Sequence, residues 1–275
     1  MTIAARNRFL RAGLILAAIM MILTGVAAVL VLTGGSLPKA APGTRALPIL
    51  DRIPFAPYSA VASTVAIAVF PLFSVFTLAY ILFGFEKTQT IELTFFAATA
   101  FAISLESFRV LIPLWELWAS TAGYAAEASR IAVFGRLFAM LTILAGILFV
   151  TGDNAQQTGA GIFILAFFAF TLAKAIPVNS TDVSSNFFVR NGYATAINTF
   201  MWVLGILAVA GYLIHGLTRG TPEYVRASVA LAFMCAGYVL LLGCDSWIVL
   251  GAGALSLTGG TRRFLKSLHA LYLWQ

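Results

Sequence analysis

Seven apolar runs dominate the chain, and each is about as long as a helix that crosses a lipid bilayer. A helix rises 1.5 Å per residue, so about 20 residues cross roughly 30 Å of hydrocarbon. Prolines and short polar turns separate the runs and mark their boundaries. The predicted spans are residues 12–32, 58–85, 91–112, 128–150, 159–176, 193–214 and 225–257.

The last run, residues 225–257, is longer than one perpendicular crossing requires. A division at Gly243–Ser246 would leave a second piece that hardly spans the hydrocarbon core. We therefore predict one long helix, tilted or locally broken, with six or eight spans as the alternatives to seven. The two halves of the chain show no similarity to each other, which disfavours an inverted-repeat transporter.

Composition indicates that lipid is the main solvent of the outer surface. Of the 275 residues, 61% are hydrophobic and 10% are charged, against roughly 25% charged in an ordinary soluble domain. So few charges do not cover a water-exposed surface, which excludes a disordered chain, a disulfide scaffold and a water-soluble domain. We therefore predict an all-α fold, a polytopic transmembrane helix bundle without a soluble domain, in the cell or inner membrane.

The excess of basic residues bears on the partners. The formal net charge of +7 is spread along the termini and connections rather than gathered into one stripe. This distribution favours anionic lipid head groups over nucleic acid. The expected partners are the lipid bilayer and either a partner protein or further copies of the chain.

Residues 261–275 are predicted to form a separate element, an amphipathic basic helix at the membrane interface. It follows a predicted membrane domain of residues 1–260. Because lysine and arginine divide almost evenly between the two sets of connections, this tail decides the orientation. A basic face suits the anionic cytoplasmic leaflet, so we predict an outer N-terminus and an inner C-terminus. At 100° per residue the apolar arc contains Phe264, Leu265, Leu268, Leu271 and Tyr272, and the basic arc contains Arg262, Lys266 and His269.

The clearest candidate chemistry lies in the third span, where Glu106 and Arg109 are three residues apart in an apolar run. That spacing puts both side chains on one helix face. A charge near the bilayer centre costs about 2.5–3.5 kcal/mol on insertion scales, so such residues face a bundle interior or a cavity. Two interpretations stay open. One is structural, either an ion pair that satisfies itself or an Arg109 that snorkels to the interface, and the other is a polar pocket or proton-linked site.

A second arginine, Arg136 in the fourth span, is a candidate partner for Glu106 on a neighbouring helix. Arg136 lies about nine residues from Glu127, and Glu106 lies about seven residues from Pro113. If the two spans are antiparallel neighbours, a rise of 1.5 Å per residue puts both side chains at a similar depth. We therefore predict an ion pair between Glu106 and Arg136.

Three further charges lie in apolar surroundings. Lys174, just before Pro177, is either a snorkelling lysine or the cation of a pocket. Asp245 either pairs with a cation from another helix or marks a break in the last run. Glu92 lies in the first turn of the third span, where a carboxylate next to the helix N-terminus is favourable and needs no function.

Motifs of common enzymes do not occur in the sequence, which has no HExxH, no GxSxG and no GxxxxGK[ST]. The two histidines, His215 and His269, lie at a span end and in the tail. We therefore predict no metal site, no haem and no other cofactor. An intramembrane enzyme is the least favoured class.

Two functional classes rank above an enzyme. The leading prediction is a seven-helix sensor, ligand-binding module or membrane-complex subunit that acts through a partner. The alternative is a transporter or channel subunit for a small molecule or an ion. The candidate ligand or ion-pathway residues are Glu106, Arg109, Arg136, Lys174 and Asp245.

Overall fold

A computed structural model describes residues 2–34, 56–85, 90–114, 122–151 and 157–273 as a bundle of α-helices with one short β-hairpin. A 3₁₀ segment, Leu105–Leu111, continues α3, and the hairpin pairs β1, Val178–Val183, with antiparallel β2, Val189–Asn191. The α-helices are α1 Ile3–Thr33, α2 Ala60–Gly84, α3 Ile91–Ser104, α4 Ala122–Thr151, α5 Thr158–Ala175, α6 Ala194–Arg219, α7 Pro222–Leu242 and α8 Trp247–Leu273.

Seven helices in the described residues are long and apolar enough to cross a membrane, with α3 and the 3₁₀ segment counted as one. The predicted class, an all-α membrane bundle with seven such helices, is confirmed. The first six runs each contain one of them. Helix α1 begins at Ile3, well before the predicted boundary, because the Thr2 hydroxyl oxygen accepts the Ala5 amide at 3.2 Å and caps the helix.

The last apolar run forms two helices, so the prediction of one long helix is wrong. Helix α7 ends at Leu242, a turn follows, and α8 returns antiparallel along α7. Glycines permit this close approach, since a Cβ on Gly260 would lie 2.7 Å from the Met234 amide nitrogen. The second helix reaches 27 residues because it continues through the predicted tail.

The tail is helical as predicted, but it is not a separate interfacial element. Phe264, Leu265 and Leu268 of its apolar arc are buried in the bundle core. The centroid of the Phe264 ring lies 4.9 Å from that of Phe96 and 5.5 Å from that of Tyr212. The basic arc is exposed, whereas protein rather than lipid covers these three apolar side chains.

The first and last described residues lie at one end of the bundle, which we call the terminal end. Arg6 Nη2 donates to the Phe85 carbonyl oxygen at 2.9 Å, and the Phe85 and His269 ring centroids are 5.1 Å apart. In the described residues, eight helices return the chain to the side on which it began, with α3 and the 3₁₀ segment counted as one. The predicted outer N-terminus and inner C-terminus rested on an odd number of spans, and the orientation of the bundle stays a prediction.

The opposite end, which we call the hairpin end, joins the hairpin, the start of α2 and the turn between α7 and α8. The Ser59 amide donates to the Asp245 carbonyl oxygen at 2.8 Å. The Ser63 hydroxyl donates to the Ser185 carbonyl oxygen at 3.4 Å. The first contact joins the start of α2 to the turn, and the second joins α2 to the hairpin.

Helix α3 is the innermost helix, and nearly all of its residues are buried. Its hydroxyl groups hydrogen-bond within the bundle, as the Thr99 and Thr142 oxygens do at 2.9 Å. Helix α1 lies at the periphery and exposes large apolar side chains such as Ile22, as a lipid-facing helix does. The 3₁₀ segment carries the buried end of α3 to the hairpin end.

Candidate functional site

The 3₁₀ segment brings Glu106 and Arg109 together. A 3₁₀ helix has three residues per turn, so side chains three apart lie directly above one another. Arg109 Nη1 and Glu106 Oε2 are 3.4 Å apart, and both side chains are buried. The interpretation of a neighbouring ion pair is confirmed, whereas Arg109 does not snorkel to the interface.

Helix α4 supplies Arg136, and a glycine allows it to approach. A Cβ on Gly135 would lie 2.8 Å from the Ala102 carbonyl oxygen, so only glycine fits where α3 passes into the 3₁₀ segment. Arg136 Nε donates to Glu106 Oε1 at 2.6 Å, and Arg136 Nη2 donates to Glu106 Oε2 at 2.9 Å. The predicted pair is therefore confirmed and is bidentate, the strongest arrangement of an arginine and a carboxylate.

Aromatic side chains complete the surroundings of these charges. The Arg136 guanidinium carbon lies 4.0 Å from the centroid of the Phe188 ring, within the range of a cation–π interaction. The Tyr238 hydroxyl of α7 donates to Glu106 Oε1 at 3.4 Å. The Glu106 carboxylate thus accepts hydrogen bonds from Arg109, Arg136 and Tyr238, which belong to three different elements. We call these four residues the ion-pair cluster.

Arg109 also ties the cluster to the hairpin. Arg109 Nη2 donates to the Asn186 carbonyl oxygen at the hairpin tip, and it lies 3.4 Å from the Leu242 carbonyl oxygen at the end of α7. Asn186 Nδ2 donates to the same Leu242 oxygen at 2.6 Å. A guanidinium suits this position because the last carbonyl groups of a helix carry partial negative charge. One side chain therefore joins the 3₁₀ segment, the hairpin and α7.

Asp245 lies in the turn between α7 and α8, where the last apolar run divides, so the alternative that it marks a helix break is confirmed. The side chain is buried, and its Oδ2 accepts a hydrogen bond from the Ser185 hydroxyl at 3.3 Å. Burial, together with the negative charge of Asp245, raises the pKa of Tyr58. Asp245 thus gives the hairpin tip a buried contact at Ser185, next to the contact of Arg109 at Asn186.

Lys174 is not part of this arrangement. Its Nζ lies 2.7 Å from Glu127 Oε2, and both side chains are about half exposed. Arg130 contacts the other oxygen of Glu127. The five predicted site residues therefore separate into four that are buried and one in a surface ion pair.

The hairpin tip is the part of the site that the sequence analysis missed. Phe187 has a positive φ of 57° and is buried, although a bulky residue rarely adopts this backbone conformation. It packs in a small apolar cluster with Val31 of α1, Ile67 of α2 and Val110 of the 3₁₀ segment. The signal in the sequence that could have indicated this buried tip is the apolar segment Phe187–Val189 inside an otherwise polar stretch.

A second buried polar group lies at the terminal end. Glu92 is buried rather than placed at an exposed helix start, and its Oε1 accepts the Tyr224 hydroxyl at 2.9 Å. The His215 and Tyr224 ring centroids are 4.6 Å apart. Within the described part of the chain, no three His, Cys, Asp or Glu side chains gather into a metal site.

No model of a known protein family matches the chain. The chain is similar to an uncharacterised protein of Treponema pallidum (strain Nichols), with 25% identity over 346 aligned positions that cover all of both chains. The similarity thus extends over the whole bundle, and the name of that protein assigns no activity. With its seven apolar helices, the chain is an integral multi-pass membrane protein.

Proposed function

We propose that this membrane protein is a sensor or complex subunit in which the ion-pair cluster latches the hairpin onto the bundle, and that a partner acts on the hairpin. The observation that carries the proposal is Arg109. Its guanidinium contacts Glu106 within the bundle and the Asn186 carbonyl oxygen at the hairpin tip. Whatever moves the hairpin must therefore also disturb a buried charge.

Energetics support a latch with two arrangements. A hydrogen bond from a charged group is worth about 1.5–3 kcal/mol, and a bulky residue at positive φ stores about 1–3 kcal/mol of strain. The contact at Asn186 and the backbone at Phe187 are therefore of similar size and opposite sign. A partner that binds the released hairpin must also replace the hydrogen bonds of Ser185 and Asn186 and the burial of Phe187.

Transport is the second candidate, and one observation favours it. Two buried carboxylates, Glu92 and Glu106, lie near the two ends of the innermost helix, about 21 Å apart along its axis at 1.5 Å per residue. Between them, however, the Thr99 and Thr142 hydroxyls contact each other and lie within hydrogen-bond distance of carbonyl oxygens of their own helices. Hydroxyls engaged in this way support packing rather than a path.

A flux assay separates the two candidates. Purified protein in liposomes with an imposed pH gradient is expected to show the proton leak of empty liposomes, in the wild type and in Glu106→Gln alike. A gradient that collapses faster with the wild type, and at the empty-liposome rate with Glu106→Gln, would favour transport over a sensor.

A photocrosslinking experiment tests the partner. Val183 is exposed on β1, and Phe163 is exposed on α5. A photoreactive phenylalanine analogue at position 183, in the membranes of the native organism, is expected to form an adduct with one protein species. The same analogue at position 163 is the control and should give lipid adducts. Lipid adducts alone from both positions would contradict a partner at the hairpin.

We also infer that the terminal end faces the cytoplasm. At the hairpin end, Arg109 and Arg136 are buried in the cluster, and Arg130 and Lys174 pair with Glu127. The half of the bundle at the terminal end exposes many more, and positive charge is enriched on the cytoplasmic side of membrane proteins. These exposed residues are Arg8, Arg11, Arg219, Arg226, Arg262, Arg263 and Lys266.

A further inference from the structure

A lateral groove of about 240 Å³ opens between α1 and the 3₁₀ segment. Helix α1 lines it between Met20 and Leu30, and the other wall runs from Ser107 to Leu114. The surface of the groove is almost wholly apolar, since the Thr24 hydroxyl donates to the Met20 carbonyl oxygen at 2.6 Å. Both walls belong to helices that are long and apolar enough to cross the membrane, so the groove opens at the depth of the lipid tails.

We propose that this groove is a binding site for one hydrocarbon chain of a membrane lipid. An apolar cavity of about 150 Å³ holds a benzene molecule, so the larger volume here accommodates a segment of an acyl chain. A protein helix does not fit, because one turn of 5.4 Å rise and about 10 Å diameter occupies roughly 420 Å³. The size of the groove thus selects a single chain over a partner helix.

Ser107 gives the groove one polar contact. The residue is 3% exposed and lines the groove, and its hydroxyl makes no hydrogen bond to any other described residue. A serine hydroxyl in the wall of the groove is a hydrogen-bond donor, and the ester carbonyl of a lipid is an acceptor that it can use. A groove with one hydroxyl and an otherwise apolar surface suits an acyl ester better than a pure hydrocarbon.

The groove shares its deep wall with the cluster around Phe187. Ala27, Val110 and Leu114 line the groove and also belong to that apolar cluster. No residue of the ion-pair cluster lines the groove, so the inference stands apart from the proposed function.

The test uses a phosphatidylcholine with a diazirine in the middle of one acyl chain, incorporated into nanodiscs with the full-length protein. After photolysis, labelled peptides are quantified by mass spectrometry. We expect peptides that contain residues 20–30 and 107–114 to carry more label than the peptide that contains the exposed Phe163 and Phe167 of α5. Those two phenylalanines face lipid without a groove and report ordinary contact with the bilayer.

Two variants narrow the groove, and one matched variant does not. Ala27→Phe fills it from inside, and Leu23→Trp fills it from the rim. Val29→Trp is the control, because Leu23 and Val29 are both 59% exposed on α1 and only Leu23 lines the groove. Labelling of the groove peptides should fall roughly tenfold in both groove variants, as a loss of about 1.4 kcal/mol of binding free energy produces, and should not change in Val29→Trp.

Three results would overturn the proposal. Groove peptides could carry no more label than the α5 peptide, which would indicate ordinary annular lipid. Label could remain unchanged in both Ala27→Phe and Leu23→Trp. The groove residues could instead crosslink to another protein chain, which would show that a second copy or a partner occupies this surface.

Discussion

At the scale of single residues, Glu106 balances two guanidinium groups. Arg136 contacts both of its carboxylate oxygens and Arg109 contacts one, in surroundings that exclude water. Charges buried in this way are stable only when they meet each other, because the desolvation of each one is unfavourable. The cluster therefore fixes how α4 approaches the 3₁₀ segment.

The two halves of the Glu106–Arg136 pair should differ in their effect on stability. Glu106→Gln leaves two buried guanidinium groups without the carboxylate that both contact, whereas Arg136→Gln leaves Glu106 and Arg109 to neutralise each other. Removing one partner of a buried pair costs about 3–5 kcal/mol. We expect Glu106→Gln to reach this range and Arg136→Gln to fall below it, in reversible unfolding from mixed detergent micelles.

The control for this comparison is Lys174→Gln. The pair of Lys174 and Glu127 is about half exposed, and exposed pairs contribute about 0–1 kcal/mol. A loss for Arg136→Gln as large as the loss for Glu106→Gln would contradict the shared-carboxylate arrangement.

Cys244 in the α7–α8 turn predicts a dependence of stability on pH. Burial raises the pKa of its thiol from 9.0 to about 11, partly opposed by a hydrogen bond with the Ser246 backbone. The unfolded chain therefore loses this proton at lower pH than the folded protein, and stability falls as pH rises from about 9 to 11. We expect the unfolding midpoint of the wild type to fall more steeply there than that of Cys244→Ala. Parallel curves would contradict a buried neutral thiol.

The Glu106–Arg136 pair is predictable from the sequence, whereas the contact of Arg109 with the hairpin is not. The pair could be predicted because both side chains are charged and their depth follows from the helix rise. Arg109 instead contacts a backbone carbonyl oxygen of Asn186. Every residue carries such an oxygen, so the sequence alone does not indicate which one is used.

At the scale of elements, the apolar runs predict where the helices lie. The division of the last run into two helices depends instead on glycine packing between them. The run of residues 225–257 is mostly apolar on both sides of the turn. What favours the turn is the close contact that glycines allow between α7 and α8, such as that of Gly260 with Met234. A hydropathy pattern does not record that contact, and it therefore favoured a single helix.

Neighbouring glycines of α8 test the antiparallel contact of α7 and α8. A Cβ on Gly260 would lie 2.7 Å from the Met234 amide nitrogen, whereas a Cβ on Gly259 meets nothing within 4 Å. Gly260→Ala should therefore destabilise the protein by about 1–3 kcal/mol through overpacking. Gly259→Ala should be neutral or should stabilise by about 0.5–1 kcal/mol through its higher helix propensity. Equal effects in detergent unfolding would contradict this packing.

At the scale of the whole molecule, an even number of antiparallel helices puts both described ends of the chain on one side. The exposed basic side chains lie mainly on that side, and the hairpin lies on the other. The terminal end and the hairpin end of the bundle therefore differ in exposed charge and in structure. One surface suits anionic lipid, and the other presents a latched hairpin to the opposite compartment.

Cysteine accessibility tests the orientation of the bundle in intact cells. Both native cysteines, Cys235 and Cys244, are first replaced by alanine, and single cysteines are then placed at Val183 or Ser267. A membrane-impermeant maleimide added outside should label the cysteine at position 183 at once, and the cysteine at position 267 only after the cells are permeabilised. The reverse pattern would place the terminal end outside.

The most direct test of the latch is hydrogen–deuterium exchange of the hairpin in nanodiscs, with Arg109→Gln compared with Lys174→Gln. The Ser184 amide donates to the Phe188 carbonyl oxygen at 2.9 Å, and the Phe187 amide donates to the Ser184 carbonyl oxygen at 3.0 Å, so both report on the closed tip. Loss of a charged hydrogen bond worth about 1.5–3 kcal/mol should speed their exchange by roughly ten- to a hundredfold in Arg109→Gln. Exchange in Lys174→Gln and within α7 should match the wild type. Hairpin exchange in Arg109→Gln that equals the wild type would contradict the account.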